Sequence, residues 1–393
     1  MKDQNHPSSG FYSADTCDLG AFIAILERET QETDVPSAAD IQKNVPVYDA
    51  SCIETVLEDE PRRRDLMTEW AQVLMSGAGI VAIRGAYSDT QVLDDATQVY
   101  RRIIAQEKDA DGGGGDHFAA SGANDRIWNA LQKLCEHAPD VFLRYFANPA
   151  IAAICEAWLG PNYQMTAQVN LVHPGGAAQQ AHRDYHLGFQ TAELSARYPA
   201  HVHSLSPVLT LQGAVAHCDM PIDSGPTKLL PFSQSYVSGY AAWRRDDFQE
   251  VFEARCIQLP LQKGDAVFFN PALFHAAGAN TSSDIHRMAN LLQVSSAFGR
   301  AMETVDRRKM CKMLYPHAAQ ALGTGTLSRA ELSAAIAATA EGYSFPTNLD
   351  RDPPKGGLAP ETQQAFFLRA LDDGIGSEAF GDHLDAMAAS RSG

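Results

Sequence analysis

The stretch QQAHRDYHLGF, residues 179–189, admits two interpretations that require different companions elsewhere in the chain. His182-Arg183-Asp184 has the letters of a protein-kinase catalytic loop, whereas His182 and Asp184 alone have the spacing of two ligands in a 2-His-1-carboxylate metal site. A kinase loop also needs an Asn shortly after the Asp and a D-F-G further on. The chain continues as YHLGFQTAEL after Asp184 and contains no D-F-G. The kinase interpretation is therefore rejected.

The metal interpretation cannot rest on the H-x-D spacing alone, because the spacing occurs three times, at His182/Asp184, His217/Asp219 and His383/Asp385. Residues two apart in a strand point to the same face and can share a metal ion. Residues two apart in a helix diverge, which counts against the pair in the apparently helical C-terminal tail. His217 falls at the end of a predicted strand and is interpreted as structural.

A metal site of this type also needs a third protein ligand and a cation for a carboxylate ligand. Candidates for both lie in KGDAVFFNPALFHAAGANTSSDIHRMANLLQVS, residues 263–295. His275 follows a predicted strand and a turn, and Arg287 begins the next predicted strand. Arginine has a planar fork of donors that pairs with a carboxylate through two parallel hydrogen bonds. This segment therefore offers His275 as a candidate third ligand and Arg287 as a candidate cation for a carboxylate.

Short predicted strands separated by turn signals fill the middle of the chain, from about residue 163 to 298. The clearest are YQMTAQVNLVH, VLTLQGAVAH, TKLLPF, DAVFFN and ANLLQVSSAF. Strands interrupted this often are typical of a sandwich or jelly roll. We expect an α+β protein with a mainly β core. Its domains would be a helical N-terminal extension (1–75), a β domain (76–300) and a helical C-terminal extension (301–393) that packs on or caps the core.

The composition and the net charge exclude some classes of binding partner. The 393 residues are 45% hydrophobic, as in an ordinary globular protein, and 31 Lys and Arg against 48 Asp and Glu give a net charge of −17. Such a surface repels phosphate backbones and anionic membranes, so neither nucleic acid nor membrane is expected as a partner. The seven scattered cysteines contain no C-x-x-C pair, and no apolar run reaches about 18 residues, which favours a cytoplasmic protein with reduced thiols.

Three segments in order, AHRDYHLGF, DSGPTKLLPFSQS and GDAVFFNPALFHAAGAN followed by Arg287, together resemble the phytanoyl-CoA dioxygenase family of Fe(II)/2-oxoglutarate oxygenases. The opening GIVAIRGAYSDTQVLDDA is also similar, so the resemblance covers about residues 76–300. It implies a double-stranded β-helix, which is a cupin-like jelly roll. It also implies that His182, Asp184 and His275 bind Fe(II), and that Arg287 binds the distal carboxylate of 2-oxoglutarate.

The resemblance suggests further residues around the co-substrate. Gln168 and Asn170 lie two apart on one predicted strand and could donate hydrogen bonds to 2-oxoglutarate. Gln212 lies near a position where family members often have an aromatic residue, and Ala277 stands where a small hydroxyl residue is common. Halogenating relatives have Ala or Gly in place of the metal-binding carboxylate. The retained Asp184 therefore implies hydroxylation or desaturation and not halogenation.

The function that we expect is a non-haem Fe(II)/2-oxoglutarate dioxygenase with O2 as the other co-substrate. It would hydroxylate an unactivated C–H bond of a small-molecule metabolite and release succinate and CO2. The loop at residues 112–118, the NDRIW segment (124–128) and the C-terminal extension would select the substrate. For NDRIW, however, we favour a capping helix with a core tryptophan over a binding site.

The sequence leaves several alternatives open. The chain could be a β-helix metalloprotein that does not use 2-oxoglutarate, such as an isomerase or another oxygenase, or a non-catalytic binding protein with a vestigial site. The substrate could be a free metabolite or a CoA thioester. The chain could also form a homodimer.

Overall fold

A large sheet faces a much smaller one in the computed structural model, which describes residues 10–111 and 123–393. Within these residues the strands are β1 (Asp40–Gln42), β2 (Val45–Asp49), β3 (Ile80–Arg84), β4 (Asn124–Ile127), β5 (Gln164–Val172), β6 (Thr210–Ala216), β7 (Lys228–Leu229), β8 (Ala266–Phe269), β9 (His275–Ala276) and β10 (Arg287–Ser295). The large sheet has the order β1-β2-β3-β8-β6-β10-β5-β4, and the small sheet pairs β7 with β9. All pairs are antiparallel except β2 with β3.

The chain passes back and forth between the two sheets. It leaves β5 of the large sheet for His182, which bridges to His275 beside the small sheet, and returns in β6. It then enters β7, continues to Ile257, which bridges to Leu229, and returns in β8 before β9 and β10 repeat the alternation. This path is a double-stranded β-helix, so the predicted fold class is confirmed.

Helices surround the β-helix, and several of them cover the outer face of the large sheet. The helices are α1 (Leu19–Leu26), α2 (Ala50–Leu57), α3 (Glu60–Met75), α4 (Gln91–Asp111), α5 (Ala130–His137), α6 (Pro139–Phe146), α7 (Pro149–Leu159), α8 (Ala192–Ser195), α9 (Ala200–Leu205), α10 (Gly239–Ala242), α11 (Asp246–Arg255), α12 (Arg307–Thr324), α13 (Arg329–Thr339), α14 (Gln363–Asp372) and α15 (Ser377–Arg391). None of them is long and apolar enough to cross a membrane, as far as the described part of the chain goes.

Strand alternation gives the large sheet one apolar and one partly polar face. On β5, Met165, Ala167 and Val169 belong to the core shared with the helices, and α5 and α13 contact this strand. Because successive side chains point to opposite faces, Gln168 and Asn170 point towards the small sheet. The interior of the β-helix is therefore lined by polar side chains on this strand.

The terminal segments pack on opposite sides of the β-helix. At the N-terminal side, the α1 residue Phe22 contacts the rings of Tyr236, Phe248 and Phe274. At the C-terminal side, Arg307 of α12 donates to the Met165 carbonyl of β5 at 2.8 Å. The C-terminal helices thus lie on the helical layer, while the division into three domains stays a prediction.

Residues 40–49 correct the expectation that the N-terminal segment is built from helical pieces, because they form β1 and β2 and extend the large sheet. Val45 and Val47 of β2 are buried in an apolar cluster that includes Ile80 and Ala82 of β3. Alternating β-branched residues fit a half-buried strand, and the parallel pairing with β3 is fixed by this tertiary contact and not by local sequence.

His217, interpreted as structural from the sequence, is buried under the large sheet. Its Nδ1 lies 2.8 Å from Thr97 Oγ1 and its Nε2 lies 2.9 Å from Tyr145 Oη. Both ring nitrogens are therefore hydrogen-bonded, which confirms the structural interpretation. Burial, with a smaller effect of Lys263, lowers the pKa of His217 to about 3.

This lowered pKa makes stability depend on pH. Below its ordinary pKa of about 6.5, the unfolded state takes up a proton that the folded state does not bind, so stability falls as the pH drops from about 6.5 towards 3. At pH 5 the loss from His217 alone is expected to be about 2 kcal/mol. Urea unfolding of wild type and His217→Gln at pH 7 and pH 5 measures it, because Gln keeps a donor and an acceptor without titrating. Exposed His137→Gln is the control, and an equal loss in all three proteins would contradict the expectation.

Candidate metal centre

The three predicted ligands meet at the junction of the two sheets. His182 and His275 are backbone partners, with N–H to carbonyl distances of 3.0 and 3.2 Å in the two directions, and their ring centroids are 4.5 Å apart. Asp184 follows two residues after His182, and its backbone N–H donates to the Pro271 carbonyl at 3.1 Å. One ligand atom from each of the three side chains lies within 4.8 Å of the others. The fold therefore gathers a ligand set from two distant parts of the chain.

Backbone carbonyls orient both imidazole rings. His182 Nδ1 lies 2.9 Å from the Gln180 carbonyl, and His275 Nδ1 lies 2.8 Å from the Leu273 carbonyl. In neutral rings these nitrogens carry the proton and donate it to the carbonyl, which leaves Nε2 with a lone pair. The two Nε2 atoms face Asp184, at 3.6 Å from Oδ1 for His182 and 3.4 Å from Oδ2 for His275. Each histidine thus presents a metal-binding nitrogen to the carboxylate.

Two of the three side chains have shifted pKa values. Burial alone would raise the pKa of Asp184, but its contacts with His275, His182 and the Gln212 amide together hold it well below its usual value. Burial, followed by the neighbouring His275, lowers the pKa of His182. Two neutral imidazoles and one carboxylate are the donors of the 2-His-1-carboxylate site of non-haem iron, so these residues fit Fe(II).

Arg183, between the first two ligands, has a role that the sequence did not suggest. Its side chain points away from the ligands, as strand-like alternation requires, and is only 2% exposed. The guanidinium donates to the carbonyls of Ser233 at 2.6 Å and Tyr236 at 2.9 Å, and it lies 5.2 Å from the Tyr240 ring centroid. These contacts fix the backbone from which His182 and Asp184 project.

Gly239 makes room for this arginine, because a Cβ added there would overlap the Arg183 guanidinium. Gly239→Ala is expected to cost about 1–3 kcal/mol of stability through overpacking and to weaken metal binding by displacing the neighbouring ligands. Gly381→Ala is the matched control, because Lys312 lies at ordinary contact distance from the added Cβ and alanine favours the α15 helix. Urea unfolding and Fe(II) titration measure both effects. Equal stability of the two variants would contradict the role of Gly239.

Arg287 begins β10 and is buried, with an exposure of 7%. It donates to the carbonyls of Ser224 at 2.9 Å and Gly278 at 3.3 Å. Burial lowers its pKa to about 10, and in residues 10–111 and 123–393 no carboxylate lies within 4.0 Å of it. A buried guanidinium without an anion is costly, so Arg287 is suited to bind an anionic ligand.

The DSGP turn holds Arg287 through a close approach of two backbone segments. Gly225 has a φ of +75°, and a Cβ there would overlap the Ala279 carbonyl. The neighbouring Ser224 and Gly278 supply the two carbonyls that accept from Arg287. Gly278 lies three residues after His275, so the cation is tied to the same segment as a predicted ligand.

The other residues predicted near the co-substrate differ in their surroundings. The Asn170 Oδ1 is buried and has no hydrogen-bond partner among the described residues. Gln168 Oε1 accepts from Arg126 at 3.3 Å. Gln212 donates from Nε2 to Asp184 Oδ2, so it contacts a predicted metal ligand directly. Their binding of 2-oxoglutarate stays a prediction.

The substrate-selecting segments need one correction. The capping helix expected at 124–128 is wrong, because Asn124–Ile127 form strand β4, which pairs antiparallel with β5 at the edge of the large sheet. Its Arg126 is the register partner of Asn170. The loop at 112–118 lies outside the described residues. The C-terminal extension packs on the helical layer.

The chain is similar to several known proteins. The Phytanoyl-CoA dioxygenase (PhyH) family profile matches residues 75–289. Dioxygenase andF of Emericella variicolor is 28% identical over 144 residues, which are 36% of this chain and 45% of that protein. Dioxygenase trt7 of Aspergillus terreus is 25% identical over 179 residues, 43% and 57% of the two chains. The chain thus spans about half the length of these relatives.

Among solved structures, the non-haem α-ketoglutarate-dependent epimerase SnoN from nogalamycin biosynthesis aligns with 60% of this chain and 84% of its own, at 20% identity and a TM-score of 0.41. Since the family profile matches more than half of the residues, the chain belongs to the phytanoyl-CoA dioxygenase family. This is a family of Fe(II)/2-oxoglutarate enzymes that act on small molecules.

Proposed function

We propose that the protein is an Fe(II)/2-oxoglutarate-dependent dioxygenase that hydroxylates an unactivated C–H bond of a small-molecule metabolite. The observation that supports this most directly is the convergence of His182, Asp184 and His275, with their ligand atoms within 4.8 Å of one another. When bound, iron, 2-oxoglutarate and O2 together supply the oxidising power, and the balanced reaction converts R–H, O2 and 2-oxoglutarate to R–OH, succinate and CO2.

In this proposal the two histidines and Asp184 hold the iron on one face and leave the other coordination positions open. Gln212 donates to Asp184 and keeps the carboxylate oriented, which is the usual role of a partner behind a metal ligand. Arg287 binds the distal carboxylate of 2-oxoglutarate through the guanidinium face that the Ser224 and Gly278 carbonyls leave open. Gln168 and Asn170 line the space beside it.

The carboxylate at position 184 also supports hydroxylation over halogenation. A halogenating site needs an open metal position for chloride where the carboxylate would bind. Asp184 is present, and its contacts with His275 and Gln212 direct it into the site. With three protein ligands, His182, Asp184 and His275 would hold the iron and leave no ligand position open for chloride in place of the carboxylate.

The first test is to add Fe(II) and then 2-oxoglutarate to the protein without oxygen and to record the visible charge-transfer absorption of the iron–2-oxoglutarate chelate. We expect the absorption to appear in the wild-type protein. Iron binding without the absorption would favour a β-helix metalloprotein that does not use 2-oxoglutarate. A failure to bind iron would favour a non-catalytic binding protein.

A further inference from the structure

Glu303, in the segment after β10, has one carboxylate oxygen that accepts no hydrogen bond within the described part of the chain. Its Oε1 accepts a hydrogen bond from the Asn129 backbone N–H at 2.7 Å. Its Oε2 is buried and has no hydrogen-bond partner among the described residues. An ionised carboxylate is an acceptor on both oxygens, and a buried acceptor without a donor is costly. The arrangement is therefore suited to a ligand that brings a donor.

Several contacts connect Glu303 with the interior of the β-helix. Burial raises the pKa of Glu303, while the Asn129 N–H, the nearby Gln168 amide and the positive charges of Arg126 and Lys133 partly counter this effect. The adjacent Met302 has its Sδ 3.5 Å from Gln168 Nε2, and Arg126 donates to the Oε1 of the same glutamine. Glu303 therefore lies beside the inward-facing side of β5.

The same region reaches the metal ligands through Tyr185, which follows Asp184. The Tyr185 hydroxyl donates to Gln293 Oε1, and Gln293 is the register partner of Gln212, which donates to Asp184. Tyr185 also lies within electrostatic range of Glu303. Tyr185 and Gln293 thus connect the surroundings of Glu303 with the residues around Asp184.

Apolar side chains also lie in this region beside the polar groups, and some of them are exposed to solvent. Phe189 is 53% exposed and its ring lies 6.5 Å from that of Tyr185. Met302 is 36% exposed, and the Trp128 ring stacks under the Arg126 guanidinium at 4.7 Å. Apolar walls with a small number of fixed polar groups are typical of small-molecule sites.

We propose that Glu303 determines specificity in a substrate pocket bounded by β4, Tyr185 and Met302, where its Oε2 accepts a hydrogen bond from a hydroxyl or ammonium group of an otherwise apolar substrate. This inference rests on the proposed function, because the anchored group would direct a C–H bond of the same molecule towards the metal centre. A substrate carboxylate at the same position would be repelled by Glu303.

The test uses three probes that share one ring, namely cyclohexylmethanol, cyclohexylmethylamine and cyclohexanecarboxylate. Their dissociation constants are measured without oxygen from the change that each causes in the charge-transfer absorption of the protein with Fe(II) and 2-oxoglutarate. We expect the alcohol or the amine to bind at least about tenfold more tightly than the carboxylate. In Glu303→Gln the amine should lose about tenfold or more in affinity and the alcohol less, because the bond to an ammonium group is charge-assisted. Tighter binding of the amine identifies an ammonium substrate, and tighter binding of the alcohol identifies a hydroxyl substrate.

Glu156→Gln is the matched control, since Glu156 is also partly buried but pairs with Arg63 of α3 in the helical layer. It should leave all three dissociation constants unchanged. Equal affinity for the three probes, no binding of the alcohol and amine, or equal effects of the two substitutions would overturn the role of Glu303. Absence of the charge-transfer absorption in wild-type protein would instead overturn the proposed function.

Discussion

His275→Ala is expected to abolish stoichiometric iron binding. His275 lies on β9, its Nδ1 is held by the Leu273 carbonyl, and its Nε2 faces Asp184. The substitution removes one of three protein ligands and leaves a carboxylate and one imidazole, which cannot fix iron on one face. Loss of partners behind metal ligands typically costs 10–100-fold in affinity, so loss of a ligand itself should cost more than about 100-fold. Iron content after anaerobic loading and desalting, read with a colorimetric chelator, measures the effect.

His203→Gln is the control, because His203 is a buried histidine whose Nε2 bonds to the Ser195 carbonyl outside the ligand set. It should retain one iron per chain. Iron should also raise the melting temperature of wild type and of this control but not of His275→Ala, because only a ligand that binds the folded state stabilises it. Full iron retention by His275→Ala would show that the metal site is elsewhere.

Strands could be predicted from the sequence where their own residues show an alternating or apolar pattern between turns. The strands β5, β6, β8 and β10 alternate or run apolar between turns, and all four lie where the sequence indicated. The sequence could not reveal β2 and β4 in the same way. β2 contains a proline and is stabilised by pairing with β3, and β4 is a short polar edge strand whose pairing with β5 is decided by tertiary structure.

In the candidate site too, some residues could be recognised from their sequence neighbours, whereas the roles of others depend on the folded structure. His182 and Asp184 form a local pattern, and the resemblance supplied His275 and Arg287 from a second segment. Arg183 and Glu303 have no such pattern, because a lone charged residue in sequence usually lies on the surface. The alternation that directs Arg183 away from the ligands was the only available signal, and it required knowing that its surroundings are buried.

Arg287→Ala is expected to raise the dissociation constant of 2-oxoglutarate about 30-fold to 3000-fold. Removing one partner of a buried, hydrogen-bonded charge pair costs about 2–5 kcal/mol, and each 1.4 kcal/mol is a factor of about ten. Without 2-oxoglutarate, however, the substitution removes a buried cation that has no carboxylate within 4.0 Å among the described residues. The variant loses the hydrogen bonds to the Ser224 and Gly278 carbonyls, so it should be less stable on its own, and a further deficit should appear when the co-substrate is added, because 2-oxoglutarate then stabilises only the wild-type protein. Titration of the charge-transfer absorption and melting curves with and without 2-oxoglutarate measure both quantities.

Arg287→Lys and Arg307→Lys separate the binding role of Arg287 from the effect of losing a buried arginine. Lysine keeps the charge at position 287 but cannot form two parallel hydrogen bonds, so the affinity should fall between those of wild type and Arg287→Ala. Arg307 is also buried and donates to the backbone carbonyls of Ala338, Thr339 and Met165, but it lies in the helical layer. Arg307→Lys should therefore reduce stability and leave the affinity for 2-oxoglutarate unchanged. If Arg287→Ala binds 2-oxoglutarate as wild type does while iron remains bound, the metal site stands but its co-substrate is held by other residues.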